Sequence, residues 1–213
     1  MTHLLADGEV SAAYVELRER VVRLLRSLPE DADEIVVPHC PLWTVAELAS
    51  HLMGVNDDIV NGRLEGVATD EWTQAQVERH RGKSLHNIAD EFVALAGRFD
   101  PLLPHIPAMA RSQMTMDAVT HEHDLRHAVG HPGARDSRAV KAGVGWIREW
   151  IAQRNVAGAE SLLASGISDF DLLRCLTGRR SERQVSALGI DVTMLERVLQ
   201  GSPLRIPTAS VEE

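Results

Sequence analysis

Cysteine, lysine and aromatic residues are scarce in this chain of 213 residues, and each shortage excludes something. Cys40 and Cys175 are the only cysteines. They are too few for a disulfide scaffold or a four-cysteine zinc site, and they suit a reduced, cytoplasmic protein. Lys83 and Lys141 are the only lysines, and 22 basic residues face 31 acidic ones for a net charge of −9. That balance argues against a basic nucleic-acid footprint and against a polybasic membrane patch. No apolar stretch approaches the roughly 18–20 residues of a membrane span. The opening residues lack both a basic region and a long apolar run, so no signal peptide is expected. A Gly-x-Ser-x-Gly elbow, a phosphate-binding glycine loop and a dinucleotide fingerprint are all missing. What remains, 44% hydrophobic and 25% charged residues, matches a globular protein whose core needs no disulfide or structural metal.

Helical spacing dominates, and alternating strand patterns are nearly absent. Tyr14, Leu17, Val21, Leu24 and Leu28 define a first helix over about 11–28, ended by Pro29. Thr44-Val45-Ala46-Glu47 is a capping box that starts a second, whose stripe is Val45, Leu48, Leu52, Val55 and Ile59. A polar stretch over about 62–83 predicts a long loop with a short helix around 72–80. Leu85, Ile88, Phe92, Leu95 and Phe99 form a third stripe, broken by Pro101, Pro104 and Pro107. A fourth helix runs over about 112–129 and stops at Gly130. Four amphipathic helices predict a bundle. Beyond it, helices are expected over 138–154, 168–176 and 192–200, with a further capping box at Ser181-Glu182-Arg183-Gln184.

The fourth helix carries polar residues on its apolar side. At about 100° per residue, Met114, Asp117, Ala118, His121, Leu125 and Ala128 share one arc. A buried carboxylate costs several kcal/mol unless a cation or hydrogen bonds compensate it. An Asp and a His one turn apart, aimed into a bundle, are the donors a metal site uses. His51 lies beside the second helix's stripe and supplies a third donor, leaving a fourth position open as in catalytic zinc sites. Two plainer readings stand beside this one. His51 could be a packed histidine, and Asp117 with His121 could be a buried ion pair without metal. His121-Glu122-His123-Asp124 is not a His-Glu-x-x-His motif, because residue 125 is Leu. On helical phase His123 faces away from the core and is expected to be solvated, and Glu122 and Asp124 are bases only if that phase is wrong. Cys40 sits in a loop as a small packing residue, and the twin arginines Arg179-Arg180 either bind an anion or are solvated.

These residues also carry a resemblance. Val37-Pro38-His39-Cys40-Pro41-Leu42-Trp43-Thr44-Val45, followed by His51-Leu52, resembles the opening motif of the mycothiol-dependent maleylpyruvate isomerase-like family in the DinB/YfiT-like superfamily. Asp117 to Arg126 resembles that family's second motif, and Asp169-Phe170-Asp171-Leu172-Leu173-Arg174 with Leu176 to Ser181 resembles its C-terminal one. The likeness spans about residues 10–190. It implies an all-α, DinB-like four-helix metal-binding bundle over 1–132, followed over 133–213 by a small C-terminal region. It also implies a divalent ion, most often Zn2+ with Ni2+ or Fe2+ as alternatives, held by His51, Asp117 and His121. The family's best-known member has Glu where this chain has Asp117. Relatives often place a small α/β unit before the Asp-Leu-Leu-Arg motif. Here the stretch over about 157–167 is too short for a sheet, so a reduced, mostly helical extension is expected.

The activity implied is that of a metal-dependent isomerase or thiol transferase. It would use mycothiol or a similar low-molecular-weight thiol as cosubstrate for a small electrophilic substrate. Arg179 or Arg180 would neutralise a substrate carboxylate, by likeness to the family's C-terminal arginine. A non-catalytic metal-binding bundle, acting as a sensor or interaction module, is the alternative, since fold does not fix function. Neither nucleic acid nor membrane is expected as a partner, and an exposed bundle face leaves room for a homodimer.

Overall fold

The computed structural model describes residues 2–164 and 166–213. Among the described residues are ten α-helices and one two-stranded hairpin, so the fold is all-α. The helices are α1 (Asp7–Ser27), α2 (Val45–Val60), α3 (Asp70–His80), α4 (Leu85–Phe99) and α5 (Ala108–Ala128), then α6 (Arg138–Arg154), α7 (Ala159–Leu163), α8 (Asp169–Leu176), α9 (Glu182–Ala187) and α10 (Val192–Leu199). None of the described helices is long and apolar enough to cross a membrane.

Most helix starts are written in the sequence as caps. Side-chain oxygens of Thr44, Thr69, Ser84, Ser137, Ser168, Ser181 and Asp191 accept backbone N–H bonds at the first turns of α2, α3, α4, α6, α8, α9 and α10. Each such cap contributes about 1 kcal/mol by satisfying an otherwise orphaned donor. Thr44 and Ser181 close full capping boxes with Glu47 and Gln184. The helices also run longer than the periodicity implied at two N-termini. α1 begins at Asp7 and α5 at Ala108, where Pro107 precedes the first turn.

The chain divides into two compact units. One comprises Ser11–Pro107 and His121–Gly133, the other Met1–Val10, Ala108–Thr120 and Ala134–Glu213. Helices α1 and α5 run through both. In the first unit α2 packs against α3 and α4, and Leu17, Leu25, Leu48, Leu52, Met53, Ile88, Phe92 and Phe99 are fully buried. Each buried side chain of this size contributes about 1.5–3 kcal/mol. Gly54 sets the spacing of α2 and α3, because a Cβ there would lie 2.7 Å from Cβ of Gln76. In the second unit α6 packs on α8, and α10 covers α7, α8 and α9. Gly143 allows the close approach of α6, for an added Cβ would meet Met116, Val119 and Leu173 at 3.3 Å.

Two expectations from the sequence are corrected. The segment holding Cys40 is not a plain loop: β1 (Val36–Val37) and β2 (Cys40–Thr44) pair antiparallel, Val36 with Thr44 and Val37 with Cys40, across a bulge. A two-residue strand opposite a bulged one leaves no alternating run to detect. Nor is His123 solvated; it is 3% exposed. Every residue from Ala118 to Leu125 is buried, so this half of α5 has no solvent face. A single-stripe reading of the helix therefore fails there.

Candidate metal centre

His51 stands on the second turn of α2, and its ring lies edge-on to that of His121 on α5 with centroids 5.2 Å apart. Asp117 is one turn before His121 on the same helix, so it reaches this point through α5 itself. One ligand atom from each of His51, Asp117 and His121 lies within 4.8 Å of the others. The two imidazoles are buried and Asp117 is half-buried.

Each imidazole is fixed through its Nδ1. Gln76 Oε1 lies 2.8 Å from His51 Nδ1. The amide nitrogen of Gln76 donates to Asp58 Oδ2 at 2.9 Å, which commits Oε1 to the acceptor role. Nδ1 of His51 therefore carries the proton, and Nε2 keeps the lone pair. Asp58 is itself fully buried and takes hydrogen bonds from Arg63 Nε (2.6 Å) and Arg79 Nη1 (2.7 Å). The bond to Asp58 is the largest cause that raises the pKa of Arg63 above its ordinary value, so the guanidinium stays charged. At the second ring, Asp124 Oδ2 lies 3.1 Å from His121 Nδ1. A carboxylate only accepts, so His121 too is protonated at Nδ1 with its lone pair on Nε2. Outer acceptors of this kind orient ligating histidines and raise their basicity.

Asp124 belongs to a second set. Cys40 Sγ lies 3.6 Å from Asp124 Oδ2, and Cys40, His121 and Asp124 also offer ligand atoms within 4.8 Å of one another. That set spends His121 Nδ1 on its hydrogen bond to Asp124. With Nδ1 of His121 engaged by Asp124, Nε2 is the nitrogen left for a ligand role, and Asp124 takes an orienting one. Trp43, from β2, supplies an apolar wall with its ring 5.5 Å from that of His51 and 6.1 Å from that of His121. Farther along, the His39 and His127 rings are 5.2 Å apart.

Glu122 is buried beside this cluster but is not disposed as a base. Arg20 grips it with Nε at 2.9 Å and Nη2 at 2.7 Å, and Arg126 Nε donates to it at 3.1 Å. Two guanidiniums compensate one buried carboxylate, as an ion in this position requires.

Two nitrogen donors and a carboxylate oxygen suit Zn2+, and equally Fe2+ or Ni2+, with coordination positions to spare. The donor set therefore fits a divalent ion on chemistry as well as on distance. Gln76 and Asp124 are the residues that sequence reasoning missed as part of the site. Asp124 had a signal in its i, i+3 spacing from His121; Gln76 had none, because it lies in the polar stretch and reaches His51 only once α3 packs against α2 at Gly54. Arg179 and Arg180 fall between α8 and α9, where Arg179 Nη1 donates to the Thr177 carbonyl at 2.6 Å and Arg180 is buried. Comparison with known proteins adds no identity: no family model matches the chain, and neither a curated protein nor a solved structure does.

Proposed function

We propose that this chain is a metal-dependent enzyme that handles a low-molecular-weight thiol, of the mycothiol type, and acts on a small electrophilic substrate as an isomerase or thiol transferase. The observation that carries the metal half is the pair of buried imidazoles, each held at Nδ1 by an acceptor, with Asp117 within reach of both. A purely structural ion pair needs Asp117 and His121 but has no use for His51 in the same tautomeric arrangement. Support for the thiol half is the resemblance of the segments around His51 and Asp117 to the mycothiol-dependent family.

A divalent ion at this position would supply an electrostatic partner that keeps a coordinated thiol deprotonated. The chain's own residues would do the rest. His51, Asp117 and His121 hold the ion; Gln76 and Asp124 keep both Nε2 lone pairs aimed at it; Trp43 screens the position from water. The open side of the set would admit the thiol, and a bound ion there would supply the activation that lets the sulfur act as a nucleophile toward an electrophilic carbon.

Cobalt substitution tests this directly. In a Cys40→Ala background, which removes the chain's own nearby thiol, Co2+-loaded protein should develop a sulfur-to-cobalt charge-transfer band on adding mycothiol. A cobalt spectrum that mycothiol leaves unchanged refutes the thiol half and favours a metal-binding bundle without catalysis.

A further inference from the structure

Asp124 stands between a thiol and an imidazole. Its Oδ2 lies 3.6 Å from Cys40 Sγ and 3.1 Å from His121 Nδ1. One ligand atom from each of the three residues falls within 4.8 Å of the others. All three belong to the first unit: Cys40 opens β2, and His121 and Asp124 lie on one side of α5. Asp124 is fully buried and His121 is buried, while Cys40 is half-buried, which leaves a way in from solvent.

These spacings are those of ligands on a single ion. Around a tetrahedral centre with metal–sulfur bonds of about 2.3 Å and metal–oxygen or metal–nitrogen bonds of about 2.0–2.1 Å, sulfur and oxygen sit about 3.5 Å apart and nitrogen and oxygen about 3.3 Å. The observed 3.6 Å and 3.1 Å lie close to both. Without metal, hydrogen atoms occupy these contacts; an ion takes their place, and a coordinating thiol gives up its proton to water. The donor set also differs in kind from His51, Asp117 and His121. That set is nitrogen and oxygen only, whereas this one contains sulfur, and a thiolate selects softer ions.

We propose that Cys40, His121 and Asp124 form a second ion position, for a thiophilic cation of the Cd2+ type, and that it competes with the first position through His121. A neutral imidazole has one lone pair. The first position needs it on Nε2. Asp124 faces Nδ1, so an ion held with Asp124 draws the lone pair there and leaves the ring proton on Nε2. His121 therefore serves one ion at a time, and Asp124 changes from orienting the ring to ligating the ion. The second position stands without the first; only the competition rests on His51, Asp117 and His121 holding an ion.

Cd2+ is the probe, added to the full chain after metal removal and under a phosphine reductant. A thiolate-to-cadmium charge-transfer band should appear and saturate at one ion per chain. Cys40→Ser should abolish the band yet still take up one zinc per chain, and His51→Ala should keep the band. When zinc-loaded protein is titrated with Cd2+ and desalted, elemental analysis should find zinc leaving as the band rises, with the total held at one ion per chain. The site is overturned if wild type gives no band or if C40S retains it. Two ions per chain, or zinc displaced without the band, overturn the competition. A chain that takes up no zinc but develops the Cys40-dependent band contradicts the first position, and the competition with it, while this site stands. Zinc uptake with no band on adding Cd2+ does the reverse.

Discussion

Replacing Gln76 with Leu tests whether the hydrogen bond to His51 organises a metal site or merely fills the core. Gln76 is fully buried, bridges His51 Nδ1 and Asp58 Oδ2, and has Gly54 pressed against its Cβ. Leu keeps the volume near Cβ but removes both polar contacts. Asp58 retains Arg63 and Arg79, so its loss is small. His51 Nδ1–H loses its acceptor in a dry site, at a cost of about 1–3 kcal/mol in stability without metal. With the ring free to turn or to change tautomer, metal affinity should drop about 10–100-fold. Competition for Zn2+ against a chromophoric chelator measures the affinity, and denaturant melts in the presence of EDTA measure the metal-free stability. Zinc affinity within about twofold of wild type would refute the reasoning even if stability fell, because a packing role alone accounts for the stability term.

Further predictions rest on other parts of the structure. Asp124→Asn should weaken Zn2+ binding by about 10-fold or more while leaving helix content unchanged, measured by the same competition and by circular dichroism. Burial pushes the Cys175 thiol up to about 12, so at neutral pH iodoacetamide should modify Cys40 and spare Cys175 until the protein unfolds, as peptide mapping would show. Burial is the main cause that lowers the pKa of His80 below its usual 6.5, with Lys83 adding to it. The unfolded state then takes up the proton first, so this contribution to stability is complete above about pH 6.5 and is lost as pH falls toward the lowered folded value. His80→Gln should accordingly flatten the fall in melting temperature between about pH 7.5 and 5.5; a slope equal to wild type contradicts the assignment. Gly178→Ala, at φ +74° and against the Arg205 carbonyl, should cost about 1–3 kcal/mol in chemical denaturation.

Much of the fold is legible because it is locally encoded. Thr44, Ser84, Ser137, Ser168 and Ser181 mark helix starts within a residue or so, and the stripes at 45–59 and 85–99 name buried faces. The hairpin at 36–44 is invisible to periodicity because its pairing is too short and bulged. Helix α5 shows where one-sided patterning stops working. Asp117 and His121 stand out on its apolar arc, yet Glu122, His123 and Asp124 are equally buried, and Glu122 is answered by Arg20, which phase alone cannot locate. Arg20 is 102 residues from Glu122, and Gln76 is 25 from His51. Such partners depend on how α1 and α3 pack, so the ligand-type side chains could be picked from sequence but not the residues that orient them.

The central claim is that His51, Asp117 and His121 hold a metal ion. Elemental analysis of protein purified without added metal, wild type beside His121→Ala and after incubation with zinc, nickel and iron(II), tests it most directly. The account predicts about one divalent ion per chain in wild type and its loss in the variant, as a site with open coordination and only three protein donors requires. Wild-type protein that stays metal-free through all three incubations contradicts it, and Asp117 and His121 would then be a buried ion pair of the core.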